Sequence, residues 1–284
     1  MTSDIVYALA ALVCYGVGDF IYKRAASVGL PAEYFLMGQA WFFCPGIIVY
    51  AALTGTLQWS PAAWWGGVAG LFILIGFYNY ARALRTGSVS VIAPVFRLNF
   101  IVTAALAIAL LAEPLTARKL AGFLLALAAG WLLLGGSLEP STAGPQGART
   151  SLVQVVIATA AAGAANFFHK LGLVGGATPE TLLVAQAVVF TGLVTVMTYA
   201  MNGTIRPPAG FVAQSAPAAL ALIAAFLFLL HGMKHGEASI VVPIAQMGFV
   251  IAAVLGAVFF KEAWTVRKIG GLGTAVAALL VLAL

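Results

Sequence analysis

Residues 87–122 read GSVSVIAPVFRLNFIVTAALAIALLAEPLTARKLAG, and residues 236–271 read GEASIVVPIAQMGFVIAAVLGAVFFKEAWTVRKIGG. The second follows the first at a constant shift of 149 without a gap, with matches at Pro94/Pro243, Phe100/Phe249, Glu113/Glu262, Thr116/Thr265, Arg118/Arg267 and Lys119/Lys268 among others. Shared hydrophobicity alone would not place the polar matches. A further match, shifted by 147, sets GVGDFIYKRA (16–25) over GAANFFHKLG (163–172). It pairs Asp19 with Asn166, Tyr22 with His169 and Lys23 with Lys170, and farther on Glu33 with Glu180 and Gln39 with Gln186. The chain therefore reads as two copies of one unit, residues 1–136 and 151–284. Residues 137–150 join them in a connector rich in Pro, Gly, Ser and Thr, a composition that stays solvated.

Both copies are too oily for water. The chain has 284 residues, is 63% hydrophobic and 8% charged, and has a mean hydropathy of +1.06, whereas soluble domains carry about 25% charged residues. Apolar blocks long enough to cross a hydrocarbon core of about 30 Å fall at roughly 4–22, 34–54, 62–82, 88–111, 117–135, 151–171, 180–201, 211–231, 237–260 and 266–284. No ten-residue alternating pattern of a membrane barrel is present, so helices must satisfy the backbone in lipid. The expected fold class is an all-α membrane protein of ten transmembrane helices, two inverted five-helix repeats around a central cavity. The start, MTSD, lacks a basic n-region, and the first block is expected as a retained helix. Cys14 and Cys44 sit singly within spans and read as small buried hydrophobes, with no metal motif. The net charge of +6 is a property of the loops and does not point to nucleic acid.

The inversion follows from the odd number of helices per copy, because the second copy must then enter the membrane from the opposite side. Repeats inverted about an axis in the membrane plane typify secondary transporters, which hold substrate near the midplane where the halves meet. The five-plus-five pattern, the ALRTGSVSVIAPV (83–95) and GMKHGEASIVVPI (232–244) entries to helices 4 and 9, and the AEPLTARKLAG and KEAWTVRKIGG turns resemble the EamA-type branch of the drug/metabolite transporter superfamily. The resemblance spans nearly the whole chain. It implies a bundle with a central cavity lined mainly by helices 1, 3, 4, 6, 8 and 9, with helices 5 and 10 peripheral. It does not choose a substrate, since that superfamily includes amino-acid and metabolite exporters, cation exporters, and nucleotide-sugar and phosphate-ester exchangers.

Few polar residues lie deep in the spans, and each needs a reason. Arg97 falls nine residues into helix 4, about 14 Å along it at 1.5 Å per residue, where an arginine costs about 2.5–3.5 kcal/mol even on the lenient insertion scale. It must face a wet cavity, a protein partner or a ligand. Pro94, three residues before it, lacks an N–H and is expected to kink helix 4; Pro243 does the same in helix 9. The counterpart of Arg97 is Gln246. One half offers a charge where the other offers an amide, which suggests a substrate with one anionic end held in a guanidinium fork. The structural alternative is that Arg97 is paired with Asp19 or Asn79.

Tyr15, Asp19, Tyr22 and Lys23 occupy neighbouring turns of helix 1. Asp19 reads either as an i, i+4 partner of Lys23 or as a group that takes a proton or shares Arg97 with substrate. Tyr15, Tyr78, Asn79 and Asn166 are the remaining candidates for contact with substrate. His169 is a second candidate for proton coupling, although a histidine at a helix end is more often structural. Gln39 and Gln186 read as hydrogen-bonding between helices or lining the cavity. Thr116 and Thr265 are N-caps for helices 5 and 10, with Glu113 and Glu262 pairing nearby Arg and Lys.

Neither GxxxxGK[ST], HExxH nor GxSxG occurs, so no ATP hydrolysis or familiar catalytic cluster is expected, and no cofactor is implied. The expected function is secondary active transport, as an exporter in a bacterial inner membrane, of a small polar metabolite bearing a carboxylate or other anion, such as an amino acid. The expected partners are that small molecule and the lipid bilayer, with the chain acting as a monomer. The alternatives are a proton-coupled cation or drug exporter built on Asp19, and a lipid-handling protein. Orientation is contested: nine Lys/Arg against four favour termini outside, whereas the resemblance implies both termini in the cytoplasm.

Overall fold

A computed structural model describes residues 3–86, 92, 95–134, 144–251, 254–255 and 265–283. Among the described residues ten α-helices follow one another: α1 Ser3–Ser27, α2 Ala32–Leu53, α3 Trp64–Thr86, α4 Asn99–Leu110, α5 Ala117–Leu134, α6 Gly144–Val174, α7 Pro179–Asn202, α8 Phe211–His235, α9 Ala238–Gln246 and α10 Val266–Ala283. No strand occurs among the described residues. Among the described residues six helices are long and apolar enough to cross a membrane: α1, α2, α3, α6, α7 and α8. The described apolar stretches around α4, α9 and α10, Val95–Leu110, Ala238–Ile251 and Ile269–Ala283, are shorter.

Local chemistry sets the helix ends. Thr178 caps α7 by accepting the Thr181 N–H at 3.2 Å, with Pro179 in the first turn, and Gly203, at φ 68°, closes the other end. Thr116 accepts the Lys119 N–H at 3.2 Å at the start of α5, as its sequence predicts. The turns before α2 and α7 each use a left-handed glycine, Gly29 at φ 74° and Gly176 at φ 89°. These two are equivalent positions at the 147 shift.

Packing runs mostly between the two halves. The α3 helix packs on α6 and α7, and α8 packs on α1 and α2; α4 packs on α6, and α9 on α1; α2 meets α7, α4 meets α9, and α5 meets α10. Exchanging α1–α5 with α6–α10 returns the same set of pairs. The close approaches repeat as well. A Cβ on Gly16 of α1 would lie 2.6 Å from the Gly248 carbonyl oxygen, and one on Gly163 of α6 would lie 2.6 Å from that of Asn99. Small residues at these crossings let backbones touch, which is how helices gain contact in lipid, where burial from water is no longer available as a driving force.

Two pairs of equivalent helices, α2 with α7 and α5 with α10, run antiparallel. Tyr34, near the start of α2, donates to the Thr204 carbonyl just beyond the end of α7, whereas Thr178, at the start of α7, donates to the Thr56 carbonyl beyond the end of α2. Gly122, early in α5, packs against Leu282 at the end of α10. The α5–α10 pair touches the rest of the bundle chiefly through α9.

Candidate functional site

Helices 4 and 9 are interrupted at the same place. Residues 95–97 are helical, Leu98 is a turn, and α4 resumes at Asn99; α9 ends at Gln246, Met247 and Gly248 form a turn, and helix resumes at 249. The hydrogen bonds around the breaks match at the 149 shift. Leu98 N–H bonds Val95 O at 3.1 Å and Met247 N–H bonds Ile244 O at 3.1 Å, while Ile101 N–H bonds Leu98 O at 2.9 Å and Val250 N–H bonds Met247 O at 3.0 Å. These i→i+3 bonds tighten the backbone where the regular ladder fails. Pro243 sits buried inside α9 one turn before its break; Pro94 lies outside the described residues.

Arg97 stands at the first break and Gln246 at the second, and the two side chains meet. One guanidinium nitrogen of Arg97 forms an ion pair with Asp19 of α1, and the other donates to Gln246 Oε1 at 3.1 Å. Asn99, the first residue of α4, donates to the Phe96 carbonyl at 2.9 Å and lies 3.4 Å from the same Gln246 oxygen. A single cation thus ties α1, α4 and α9 together. The Arg97 side chain is 13% exposed and that of Asp19 is 33% exposed, so the carboxylate side of the pair is the open side.

A small pocket of about 20 Å³, close to the room of one water, is lined by Gln39, Phe43, Phe77, Gln186, Phe190 and Phe226, among others. Its walls follow the internal repeat: Gln39 with Gln186, Phe43 with Phe190, and Phe77 with Phe226. Phe77 of this pocket packs with its ring centroid 6.1 Å from that of Phe96 and 6.2 Å from that of Tyr22. Tyr22 donates to Gln39 Oε1. His169, the counterpart of Tyr22, is fully buried against Phe226 at 6.1 Å, with the Gln186 side chain as its polar neighbour.

The other sequence candidates are distributed unevenly. Tyr15 is buried, edge-on to Phe226 at 5.8 Å, and packs beside the α9 break through Gly248. Asn166 is buried in α6. Asn79 bonds its own helix at the Ile75 carbonyl, 2.8 Å away, and is not the partner of Arg97. Tyr78 faces Met201 Sδ at 3.7 Å, with Arg82 over its ring at 5.6 Å, at the end of α7 and apart from the clamp. Asp19 takes Arg97 as its partner.

Glu113 departs from its expected local pairing. Its carboxylate accepts the backbone N–H groups of Ala238 at 2.8 Å and Ser239 at 2.9 Å and the Ser239 hydroxyl, capping the N-terminus of α9 in the other half. Lys119 instead forms an ion pair with Glu237. Lys170 closes the C-terminal end of α8 by donating to the carbonyls of Met233 at 2.7 Å and Gly236 at 2.6 Å. Asn99 was not singled out by the sequence reading. Its signal was available, because it faces Gly248 at the repeat shift, a second polar departure from symmetry beside Arg97 and Gln246.

No curated protein matches the chain. Among 29 matching chains of solved structures, one crystal structure of an otherwise undescribed protein aligns over 98% of this chain and 96% of its own, with a TM-score of 0.79 and 17% identity, which shows a shared fold. A model of the EamA-like transporter family matches residues 2–135, the part that supplies Asp19, Arg97 and Asn99. Residues 2–135 of this multi-pass membrane protein are thus similar to the EamA-like transporter family, a domain of the drug/metabolite transporter superfamily.

Proposed function

We propose that the chain is a secondary active exporter that carries a small polar metabolite with a carboxylate or other anionic group, an amino acid being the simplest case, by alternating access. In this reading residues 1–136 and 151–284 are two units of opposite orientation in a bacterial inner membrane. The substrate sits where their interrupted helices meet, as in other inverted-repeat transporters. The observation that carries it is the Arg97 clamp: a guanidinium held at a helix break, bound to an amide on one side and to a partly open carboxylate on the other. A substrate carboxylate suits the guanidinium fork and competes for the two nitrogens that Asp19 and Gln246 hold here. Asp19, once displaced, is then the group that takes a proton. A cation exporter built on Asp19 has less support, because Arg97 already matches that charge.

Counterflow in proteoliposomes tests this. Saturable flux of an amino or organic acid is expected in the native chain and is expected to fall at least tenfold in Arg97→Gln. Flux that survives Arg97→Gln unchanged rejects an anion site at this residue.

A further inference from the structure

His231, near the end of α8, faces two acceptors at once. Its Nδ1 lies 2.9 Å from the Leu227 carbonyl oxygen, and its Nε2 lies 3.4 Å from Glu180 Oε1 at the start of α7. A neutral imidazole carries one N–H, so either tautomer leaves a ring lone pair aimed at an oxygen. Both contacts are met only when one more proton is present, on the ring or on the carboxyl group. Glu180 is 3% exposed, and a carboxylate so deeply placed is costly without a charge or a proton to offset it. The ring is also held from the side by Tyr7 of α1, 5.5 Å away, which stacks on His235 at 6.2 Å. The internal repeat sets this pair apart. Glu180 corresponds to Glu33, but His231 corresponds to Arg82 at the 149 shift. The first half thus has a permanent cation where the second has one that can give up its charge.

We infer that His231 and Glu180 form a proton-binding site, and that release of this proton opens the end of the chain where α7 begins and α8 finishes. The site is separate from Asp19. Its opening step rests on the alternating-access reading, whereas the bound proton does not. Other ionisable groups at this end, on the elements packed against α8, are Asp4 and Tyr7 of α1, Tyr50 of α2, Lys170 of α6 and Glu237 before α9, with Lys234 and His235 on α8 itself. Asp4 lies against Gly236, Lys170 is held by the Met233 and Gly236 carbonyls, and Glu237 by Lys119. Glu180 is therefore the carboxylate that faces His231. With the proton bound, the pair joins α7 to α8. Without it, a buried carboxylate faces a ring lone pair and regains hydration only when the helices part to admit water. The closed form thus binds one proton more than the open form, so raising the pH favours opening. Because α8 packs on α1 and α2, a shift of its end is felt in the other half.

Nitrogen NMR on the histidine-labelled chain in nanodiscs, with infrared spectra of its carboxyl groups, tests the site without any substrate. The chain has three histidines, and the signal lost in His231→Arg is that of His231. Near neutral pH one of two results is expected: both His231 nitrogens carry hydrogen, or a protonated-carboxyl band is present that disappears in Glu180→Gln. A neutral ring beside an ionised Glu180 overturns the proton site. Hydrogen exchange of the amides at 180–184 and 231–235, corrected for the intrinsic effect of pH, tests the opening. Between about pH 6 and about pH 9 exchange in the native chain is expected to quicken about tenfold. It is expected to stay within about twofold in His231→Arg, whose cation pH does not remove, and equally in Glu180→Gln, which has no charge to expose. No quickening in the native chain, or the same quickening in both variants, overturns the opening. None of these readouts involves Arg97 or a transported solute, so the fate of flux in Arg97→Gln bears on the anion reading alone.

Discussion

Arg97 carries two separable duties, and substitution distinguishes them. In Arg97→Gln the Asp19 carboxylate loses its cation, and breaking a buried pair by removing one partner costs about 3–5 kcal/mol. Because a third of Asp19 is exposed, the low end, about 3 kcal/mol, is expected. Adding Asp19→Asn removes the orphaned charge, so the double variant is expected to regain most of that stability in a denaturant titration in mixed micelles. Transport is expected to stay lost. A double variant that recovers both stability and flux would mean that the guanidinium serves only the fold. Arg97→Lys keeps a charge but not the planar fork that reaches Asp19 and Gln246 together, and flux near the native level in that variant would reject a bidentate role. Legibility at this scale depended on departures from the repeat. Arg97 against Gln246 stood out because everything around it matched. Asn79 and Tyr78 were chosen for polarity near a helix end, and the fold turned one onto its own backbone and the other toward Met201.

Among the elements, α9 has its start fixed by the other half of the chain and its end at the Arg97 clamp. Glu113 satisfies two N–H groups that the first turn of a helix leaves unpaired, and its negative charge suits that terminus. Glu113→Ala is expected to lower stability by about 1–2 kcal/mol, the range of a lost cap, with a smaller loss for Glu113→Gln. Because Gln246 lies one residue before the turn that ends the same short helix, ligand affinity is expected to fall as well. An unchanged affinity in Glu113→Ala would show that the α9 break holds its position without the cap. The AEPLTARK turn was legible as a helix start through Thr116 but not as a cap for α9. Sequence spacing reports neighbours within three or four residues, and Glu113 acts across 125. The glycine crossings give a paired prediction. Gly16→Val and Gly163→Val each drive a side chain into a backbone carbonyl 2.6 Å from the Cβ position, and both are expected to destabilise by similar amounts. Gly18→Ala, whose Cβ would meet only the end of Leu222 at 3.8 Å, is expected to be tolerated.

For the molecule as a whole, the internal repeat was readable in the letters, and the pairing of helices between halves was not, because a repeat dictates equivalence without dictating which surfaces meet. The pairing that results is unchanged when the halves are exchanged, and α2 runs antiparallel to α7. If both are membrane-spanning, equivalent turns must emerge on opposite faces. The turns at Gly29 and Gly176 are such a pair, equivalent in sequence and alike in left-handed backbone. Beside them Val28 is 60% exposed and Val174 is 65% exposed, so each accepts a cysteine label without repacking. In a chain with Cys14 and Cys44 replaced by Ala, a membrane-impermeant maleimide applied to intact cells is expected to modify only one of Val28→Cys and Val174→Cys. The other is expected to react only after permeabilisation. Labelling of both from one side would rule out inverted units and with them alternating access by exchange of the two halves. The same experiment decides orientation. Outside labelling at Val28 puts the N-terminal end of α1 in the cytoplasm, as the EamA-type resemblance implies, and outside labelling at Val174 puts it outside, as the nine-to-four count of basic residues favours. In the first case several of the nine are held within the protein by pairing, as Arg267 is by the Trp131 ring at 4.5 Å and its carbonyl at 2.9 Å, and do not act as free loop charges.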